Sequence, residues 1–480
     1  MSNSISKPFC ACSTPQGVGG IAIIRASGSQ SAELMDSYTK ILRTAECAYG
    51  NEDKKITLSG LPGYVSAYAT IIDPVTKKAI DNVIITHFVA PHSYTGDEMV
   101  EISCHGGEAV KQEILRIMLE NGFRAAEPGE FTRTAFLNGK LDLSEAEAVM
   151  DVIAADSERA LRAANMQMNG KLSKELGEVE DIIYHALTLI EMIVEFPEHD
   201  DTPDNEQEVI SMATDALDRL NKLKMSYAQG RILSERMRVA ICGSPNSGKS
   251  SLLNVLSGYE RAIVTEVAGT TRDTLEVNLN INGIPVTLID TAGIRDTDDR
   301  IEAIGVERAY KELTSSDLVL YMVSPTEELS NFEFYLTEIL KSTTANRLVL
   351  VFSKSDAGEN KYSDAMINKA KEAGVDTIIS ISSMNQINIE ELKEVITSYY
   401  DKLGGSASGS IILLNRRHFE LIDSATESLN MAIGAIRDGM GVDIASSVMR
   451  NTLESIGKIT GKTVSVELAN NIFGRFCIGK

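Results

Sequence analysis

Residues 243–250 constrain this chain more than any other segment. They have the sequence Gly-Ser-Pro-Asn-Ser-Gly-Lys-Ser, which matches the phosphate-binding pattern GxxxxGK[ST]. The apolar run 238–242 before them suits a buried strand, and residues 251–256 continue as a helix. Such a strand, glycine turn and helix start form a phosphate cradle, because backbone N–H groups and the positive end of a helix attract anions. The segment therefore predicts an α/β domain that binds a nucleotide.

The same pattern assigns roles inside the loop. We expect Lys249 to reach the β- and γ-phosphates and the Ser250 hydroxyl to ligate Mg²⁺. The nucleotide contacts predicted from this segment are Asn246, Ser247, Gly248, Lys249, Ser250 and Ser251.

Composition limits the class of protein. The 480 residues favour about three domains, and the hydrophobic fraction of 43% is ordinary for a soluble globular protein. The net charge of −22 argues against a broad basic surface for tRNA, DNA or anionic lipid. We expect no membrane contact, because no apolar run is long enough to span a bilayer. We expect no signal peptide, because residues 1–8 lack a charged region followed by an apolar stretch. The six cysteines form no CxxC pair, which fits a reducing cytoplasm.

The N-terminal part of the chain mixes strand and helix patterns up to about residue 138. Strands are predicted at 21–24, 64–72 and 83–88, and a helix is predicted at 108–120. This part of the chain therefore predicts a compact α/β domain.

The rest of the chain alternates between helical and mixed patterns. From residue 144 to about 232 it is helical, with a capping box predicted at 144–147 and a solvated corner at 195–206. Strands and helices alternate from 238 to about 403. A flexible Gly/Ser-rich linker follows at 404–410, and a second helical stretch completes the chain.

The last helical stretch is short for a core of its own. The economical arrangement is one helical domain with the nucleotide domain inserted between its halves, and a separate C-terminal hairpin is the alternative. We predict a fold of class α/β plus all-α, with an N-terminal α/β domain, a central helical domain and a Ras-like P-loop domain inserted in the helical domain. The predicted segments are 1–138, 139–236, 237–403 and 404–480.

Two further segments of the nucleotide domain point to a switch. A threonine in residues 268–273 can close on Mg²⁺ through its hydroxyl, and Thr271 is the candidate; a plain Gly/Thr loop is the alternative. A hairpin signalled by Asn282-Gly283 returns to a strand that ends at Asp290, the first residue of a DxxG sequence. Asp290 can hold Mg²⁺ through water and the Gly293 N–H can sense the γ-phosphate, so these contacts vanish on hydrolysis.

The base-recognition signal follows the strand predicted at 348–352. It has the sequence Ser-Lys-Ser-Asp, which resembles the NKxD motif of GTPases with Ser353 in place of Asn. Asp356 can accept from guanine N1–H and N2–H together, which adenine cannot satisfy, and Lys354 would lie along the base. We expect the short Ser353 side chain to weaken the bracing of this site, and GTP still to bind better than ATP. Further contacts are predicted at Ser355, Ser382, Ser383 and Met384.

Two residues shape the expected hydrolysis. Ile294 stands where Ras-like enzymes place a water-orienting glutamine, so that route is closed. Asn246 occupies the position at which potassium-activated GTPases help hold K⁺ against the phosphates in place of an arginine finger. The alternative, which the sequence supports equally, is that Asn246 simply suits the tight turn.

Sequence blocks outside the nucleotide domain extend over essentially the full chain. Together with Asn246 and residues 270–273 and 290–293, they resemble the MnmE (TrmE) family of tRNA modification GTPases. The blocks are 14–20, 23–28, 90–96, 100–107, 128–132, 135–143 and the terminal Phe-Cys-Ile-Gly-Lys.

The resemblance implies a homodimer joined through N-terminal domains that bind 5-formyl- or 5,10-methylene-tetrahydrofolate. It implies a flavin- and NADH-using partner, MnmG, in a heterotetramer in which the partner carries much of the tRNA contact. Together the two proteins install an aminomethyl or carboxymethylaminomethyl group on the wobble uridine carbon of tRNA. Cations suit the folate carboxylates and a carboxylate suits the pterin N–H edge. The positions that match the folate contacts are Arg25, Glu101, Lys140 and Lys480.

The resemblance also implies potassium and catalytic positions. Glu302 matches the family's water-organising acid, and Cys477 matches a cysteine needed for modification rather than for GTP hydrolysis. From the residues alone, Glu302 is one acid among many and Cys477 could equally pack the last helix. The implied potassium positions are Asn246, Thr265, Val267 and Thr270. The implied catalytic residues are Lys249, Thr271, Glu302 and Cys477. The remaining nucleotide contacts are Thr265, Glu266, Val267, Ala268, Gly269, Thr270, Thr271, Asp290, Thr291, Ala292 and Gly293.

Two other functions stay open. A ribosome-assembly or signalling GTPase with unrelated appendages would bind no folate. A stand-alone folate-dependent one-carbon enzyme, regulated by its GTPase domain, would form product without a flavoprotein partner.

Overall fold

The computed structural model describes residues 7–44, 56–195, 202–259, 275–290, 310–403 and 411–479. The chain divides into two compact units. The first comprises residues 1–150, 168–174 and 454–480, and the second comprises residues 151–167 and 175–453. The four segment boundaries given above stay a prediction.

A seven-stranded sheet forms the centre of the first unit. Its strands are β1 (Phe9–Cys12), β2 (Ile21–Ser27), β3 (Thr39–Thr44), β4 (Val65–Ile72), β5 (Ala79–Phe88), β6 (Met99–His105) and β7 (Arg124–Ala125). Their order is β3-β4-β5-β6-β2-β1-β7, and β7 pairs with β1 in parallel while the other neighbours are antiparallel. The short helices of this region are α1 (Ser31–Met35), α2 (Glu108–Glu120) and α3 (Glu130–Leu137).

The sheet of the first unit separates two hydrophobic clusters. Strand residues alternate between faces, so Cys10 of β1 joins the core that contains Ile114 and Ile117 of α2. Its neighbours Phe9 and Ala11 join a second cluster, in which the Phe9 ring contacts Phe131 of α3 edge-on at 4.8 Å between centroids. The helix predicted at 108–120 is confirmed at those bounds.

Helices make up most of the described part of the chain outside the nucleotide domain and after α3, and they range from 8 to 34 residues. They are α4 (Leu143–Ala154), α5 (Glu158–Met168), α6 (Lys171–Glu195) and α7 (Thr202–Glu235), and, after the nucleotide domain, α12 (Arg416–Arg437), α13 (Val442–Thr460) and α14 (Val466–Phe473). Helix α7 already begins at Thr202, so the predicted corner at 195–206 is wrong for its last five residues. None of the described helices is long and apolar enough to cross a membrane.

The capping box at the start of α4 lies two residues earlier than predicted. The Asp142 side chain accepts from Glu145 N–H at 2.8 Å, and the Glu145 side chain accepts from Asp142 N–H at 2.8 Å. Ser144 is instead buried, and its hydroxyl donates to Asp142 Oδ1 at 3.0 Å and lies 2.9 Å from the Ser173 hydroxyl, so it supports the cap rather than forming it.

The second unit confirms that the nucleotide domain is inserted between helices that pack together. Helix α7 precedes that domain and α12 follows it, yet the Tyr227 and Phe419 rings stack with centroids 4.4 Å apart. Lys224 and Asp423 form an ion pair between the same helices. The Ser226 hydroxyl accepts from Leu413 N–H at 3.1 Å, which fixes the segment that enters α12.

The nucleotide domain is built on a six-stranded sheet. Its strands are β8 (Met237–Gly243), β9 (Leu275–Ile281), β10 (Ile284–Asp290), β11 (Leu318–Val323), β12 (Leu348–Phe352) and β13 (Thr377–Ser380). Their order is β13-β12-β11-β8-β10-β9, in which β9 and β10 pair antiparallel and the other neighbours are parallel. The helices are α8 (Lys249–Tyr259), α9 (Leu329–Ser342), α10 (Ser363–Glu372) and α11 (Ile389–Lys402), with 3-10 turns at Ala345–Arg347 and Ser355–Ala357.

Helices cover both faces of this sheet, as a largely parallel sheet requires. Val239 and Ile241 of β8 face the cluster with α8 and α11, whereas Ala240 and Cys242 face the cluster with α9 and α10. The turn between β9 and β10 has φ of 50° at Asn282 and 80° at Gly283, the two positive values of a type I′ turn. The predicted hairpin is confirmed.

Candidate nucleotide site and N-terminal polar site

The phosphate loop lies between β8 and α8. Gly243 and Gly248 have φ of 144° and 96°, and Asn246 has φ of 62°. A Cβ atom on Gly243 would overlap the carbonyl oxygen of Met322, so only glycine fits there. The sequence therefore folds locally into the predicted cradle at the N-terminus of α8.

Lys249 is held inside its own loop. Its Nζ donates to the Gly243 carbonyl at 2.8 Å and to the Ser244 carbonyl at 2.9 Å. Burial lowers the pKa of Lys249, while the Asp290 carboxylate acts in the opposite direction. Phosphate oxygens could take the place of these two carbonyl groups, so the Lys249 ammonium group would keep its hydrogen-bond partners.

Asp290 ends β10, beside the phosphate loop. Parallel pairing places it opposite Ile241, two residues before the loop begins. Its Oδ1 is buried and lacks a hydrogen-bond partner among the described residues. Burial raises the pKa of Asp290, and the Lys249 charge opposes that rise. Burying a carboxylate oxygen without a hydrogen-bond partner costs free energy. Asp290 Oδ1 is therefore suited to contact a ligand.

Ser353 ties the base-recognition segment to the phosphate loop. Its hydroxyl lies 2.6 Å from the Ser247 carbonyl and 3.1 Å from the Val323 carbonyl. Lys354, with φ of 54°, donates to the Asn246 carbonyl at 2.7 Å. The serine hydroxyl thus contacts the phosphate loop directly, and the expectation that it braces the base site less well than asparagine stays a prediction.

The residues predicted to surround the base lie together. The Ser382 hydroxyl donates to Asp356 Oδ1 and accepts from Asn385 N–H at 3.1 Å. Ser355 N–H donates to the Ile381 carbonyl at 3.1 Å, which joins the two base loops. Ser383 and Met384 follow in the same turn, and the Met384 side chain is exposed. The hydrogen bond to Ser382 orients the Asp356 carboxylate.

Several predicted positions cannot be placed. Those that lie outside the described residues are Thr265, Glu266, Val267, Ala268, Gly269, Thr270, Thr271, Thr291, Ala292, Gly293, Ile294, Glu302 and Lys480.

Sequence reasoning missed two polar residues that touch the site. The Ser244 hydroxyl donates to the carboxylate of Glu327, a buried residue in the turn after β11. Ser244 lies within the motif, but at a position where the pattern allows any residue. Glu327 is 83 residues further along the chain, so no local pattern links it to the loop.

A separate polar site lies in the first unit, where the predicted folate residues Arg25 and Glu101 meet. They are cross-strand partners on β2 and β6, and Arg25 Nε donates to Glu101 Oε1 at 2.7 Å. The Tyr94 hydroxyl lies 2.9 Å from Thr132 Oγ1. Burial raises the pKa of Tyr94, and the nearby Arg25 charge counters that rise. Tyr94 was not predicted as a site residue.

Lys140 and the C-terminal segment belong to the same unit. Lys140 Nζ donates to the Pro91 carbonyl at 3.3 Å. The Cys477 carbonyl accepts from Gly129 N–H at 3.3 Å, immediately before α3. The Gly479 carbonyl accepts from the Ser13 hydroxyl at 2.9 Å. The Cys477 side chain is exposed, so the alternative in which it packs the last helix is not what the structure shows.

Two family models cover this arrangement. A model described as "GTP-binding protein TrmE N-terminus" matches residues 8–140, and one described as "MnmE helical domain" matches residues 143–477. The chain belongs to the MnmE family. The second match spans both helical halves and the inserted nucleotide domain, in agreement with the packing of α7 on α12.

Curated members of the MnmE family match along the whole chain. The tRNA modification GTPase MnmE of Lactobacillus delbrueckii subsp. bulgaricus is 37% identical over 472 residues, which is 98% of this chain and 98% of that protein. The protein of the same name from Staphylococcus aureus (strain Newman) is also 37% identical over 472 residues, with 98% of each chain covered. Among solved structures, the G domain of the T. maritima FeoB iron transporter is 27% identical. The matched region covers 34% of this chain and 98% of the FeoB chain, with a TM-score of 0.28. The family assignment rests on the sequence matches.

Proposed function

We propose that this chain is a potassium-activated GTPase that modifies tRNA together with the flavoprotein MnmG. The pair installs an aminomethyl or carboxymethylaminomethyl group at the wobble uridine carbon, with a tetrahydrofolate as one-carbon donor. The chain acts in the cytoplasm as a homodimer, in a heterotetramer with its partner, and the segments 1–138, 139–236, 237–403 and 404–480 are its domains. The observation that supports the proposal is one site that unites a phosphate loop with a carboxylate at the position of the guanine-reading motif, in a chain that matches an MnmE protein over 98% of its length.

GTP binding uses groups that the structure already orients. Backbone N–H groups at the start of α8 face the phosphates, and Lys249 exchanges two loop carbonyls for phosphate oxygens. Asp356 accepts the two guanine N–H groups, while Ser353 and Lys354 hold the base loop to the phosphate loop. An adenine amino group offers no such pair of donors, so the site selects GTP.

The donor set fits Mg²⁺ and K⁺. Asp290 offers a buried oxygen without a partner among the described residues, and the Ser250 hydroxyl lies in the first turn of α8. With Thr271 they would hold Mg²⁺, which binds through few protein oxygens plus phosphates. Asn246 is exposed at the outer turn of the loop, and it would hold K⁺ with Thr265, Val267 and Thr270. When bound, the two cations supply positive charge to the phosphoryl group that is transferred.

The N-terminal polar site fits a folate. Arg25 and Lys140 supply cations for its carboxylates, and Glu101 supplies an acceptor for the pterin N–H edge. Lys480 is proposed to complete the set. The folate, when bound, supplies the one-carbon unit, and Cys477 is proposed to act in modification rather than in GTP hydrolysis. Glu302 is proposed to organise the attacking water.

Calorimetry on the full chain tests both sites. We expect GTP to bind more tightly than ATP and 5-formyltetrahydrofolate to bind independently of nucleotide. Lys249→Ala should lose GTP affinity and keep folate affinity, whereas Arg25→Ala should do the reverse. Equal affinity for GTP and ATP would contradict the base assignment, and absence of folate binding would favour a ribosome-assembly or signalling GTPase.

A further inference from the structure

A buried glutamate lies directly behind the phosphate loop. Glu327 is only 7% exposed, and its Oε2 accepts the hydrogen bond from the Ser244 hydroxyl. The turn that presents Glu327 is itself fixed, because Glu327 N–H donates to the Ser324 carbonyl at 3.1 Å. The buried Asn360 amide donates to the carbonyls of Ser324 and Glu327 at 3.0 and 2.9 Å. The carboxylate is therefore held on a rigid support.

The second oxygen of this carboxylate is also informative. Glu327 Oε1 is buried and, in the described part of the chain, makes no hydrogen bond, as is the case for Asp290 Oδ1. Burial lowers the pKa of Lys249, and the charges of Asp290 and Glu327 both act against that shift. The cation of the phosphate loop thus lies in the field of two carboxylates, the buried Glu327 and the partly buried Asp290, of which the sequence motifs account for Asp290 alone.

A purely structural role would not require a charge at this position. Burying a carboxylate beside a site for phosphate anions is costly unless hydrogen bonds and a cation compensate. A hydrogen bond to an ionised acceptor is stronger than a neutral one and fixes its donor more firmly. The donor here is Ser244, whose own carbonyl is one of the two that hold Lys249. Glu327, Ser244 and Lys249 therefore form one connected chain of contacts.

We propose that Glu327 is a positioning residue of the nucleotide site. Through Ser244 it holds the first half of the phosphate loop in the conformation that presents Lys249 to the phosphates of GTP. This inference rests on the proposed GTP binding and adds to it a residue from outside the phosphate, switch and base motifs.

The test is GTP affinity, measured by calorimetry on the full-length chain. Ser244→Ala and Glu327→Ala should each weaken GTP binding about tenfold, because each removes the same charge-assisted hydrogen bond. The double variant should be no weaker than Glu327→Ala alone. Glu327→Gln keeps an acceptor for Ser244 but lacks the charge, so it should weaken GTP binding only about threefold, less than Glu327→Ala does. The matched control is Glu328→Ala, since this neighbouring glutamate is exposed and pairs with Lys361 at 3.4 Å.

Other results would overturn the inference. They are unchanged GTP affinity in Ser244→Ala and Glu327→Ala, additive losses in the double variant, or a loss in Glu327→Gln equal to that in Glu327→Ala. If Glu327→Ala fails to fold by circular dichroism, Ser244→Ala and Glu327→Gln decide the question by the same expectations. A wild-type chain that binds no GTP would instead overturn the proposed function.

Discussion

At the scale of single residues, we propose that Asp356 determines which base this site accepts. The Ser382 hydroxyl donates to Asp356 Oδ1 and orients the carboxylate, which in this proposal accepts from two guanine N–H groups. An asparagine at this position would place its own N–H donor against the guanine N1–H or N2–H donor, and two donors cannot form a hydrogen bond. The same donor would suit the second carbonyl of xanthine, which replaces the guanine amino group.

We therefore expect Asp356→Asn to weaken GTP binding about 10- to 100-fold and to improve binding of xanthosine triphosphate. Competition with a fluorescent guanine nucleotide measures both. Asp364→Asn, an exposed acid in the first turn of α10, is the control and should bind GTP as the wild type does. Unchanged GTP affinity in Asp356→Asn would remove this residue from base recognition.

His87 gives the first unit a pH-dependent contact. Its Nδ1 lies 3.0 Å from the Leu61 carbonyl and its Nε2 lies 2.9 Å from Glu98 Oε1, so both nitrogens face acceptors. The hydrogen bond to Glu98 raises the pKa of His87 although burial opposes it. Burial alone would raise the pKa of Glu98, but hydrogen bonds from His87 and Ala32 lower it. The pair is therefore charged over the window between the two pKa values.

The sign of the pH dependence follows from these shifts. The His87 contribution is complete below its ordinary pKa of about 6.5 and is lost as pH rises through the raised value. The Glu98 contribution is complete above its ordinary pKa of about 4.3 and is lost as pH falls through the lowered value. We expect His87→Leu to destabilise the first unit by about 2–4 kcal/mol at pH 6 and by less at pH 9.

Hydrogen exchange in β5 and β6, compared with the wild type at each pH, measures this difference. His105→Gln is the control, because His105 is largely exposed and should change protection little. Equal loss of protection at pH 6 and pH 9 would show that the imidazolium charge is not what stabilises the contact.

Which residue contacts could be foreseen from sequence depends on their separation along the chain. The phosphate loop and the Ser-Lys-Ser-Asp segment are local patterns, and the structure places the first between β8 and α8 and the second directly after β12. The contact of Ser353 with Ser247 joins residues 106 apart, and no local pattern could show that the hydroxyl reaches so far. The sequence predicts the cap of α4 at Ser144, whereas Asp142 forms it, because the burial of Ser144 against Ser173 depends on tertiary packing.

At the scale of elements, the close approach at Gly230 holds the two helical halves together. The segment that enters α12 passes over α7 here, and a Cβ atom on Gly230 would overlap the Leu413 carbonyl oxygen. We expect Gly230→Ala to destabilise the second unit by about 3 kcal/mol or more, because backbone cannot yield as a flexible side chain can.

Thermal unfolding of the full chain measures the effect of Gly230→Ala. Gly434→Ala in α12 is the matched control, because a Cβ atom there meets nothing within 4 Å. Alanine in that open helical position should add about 0.5–1 kcal/mol of stability. A Gly230→Ala protein at least as stable as the wild type would show that the two halves are not held together at this point.

Periodicity and turn signals made some elements predictable but not all. Helix α2 and the β9–β10 hairpin have a clear repeat and a clear turn signal, and the structure confirms both. No strand was predicted at β1, β3, β6, β7, β11 or β13, although β6 alternates between buried and less buried residues and β11 is a buried apolar run. For β3 and β7 the sequence pattern is weak. Strand β3 lies at one edge of its sheet with most side chains exposed or half-exposed, and β7 at the other edge has only two residues. Neither offers the alternation on which strand prediction depends.

At the scale of the whole molecule, the nucleotide domain lies between two halves of one helical domain. We propose that hydrolysis in this chain depends on K⁺ and on Asn246, since the glutamine of Ras-like enzymes is replaced by Ile294. GTP turnover should be at least about tenfold faster in K⁺ than in Na⁺ at equal ionic strength, and Asn246→Ala should abolish the difference. Equal turnover in the two salts would remove the potassium mechanism.

The net charge of −22 agrees with a division of labour in which a partner provides much of the tRNA contact. We propose that the nucleotide site of this chain drives modification of the wobble uridine. The most direct test is the nucleoside profile of tRNA from cells that lack the chain, complemented with the wild type, with Lys249→Ala, or with the exposed-site control Lys341→Ala. We predict that the aminomethyl or carboxymethylaminomethyl uridine disappears on deletion and returns with the wild type and the control but not with Lys249→Ala. An unchanged profile on deletion, or full restoration by Lys249→Ala, would contradict the claim.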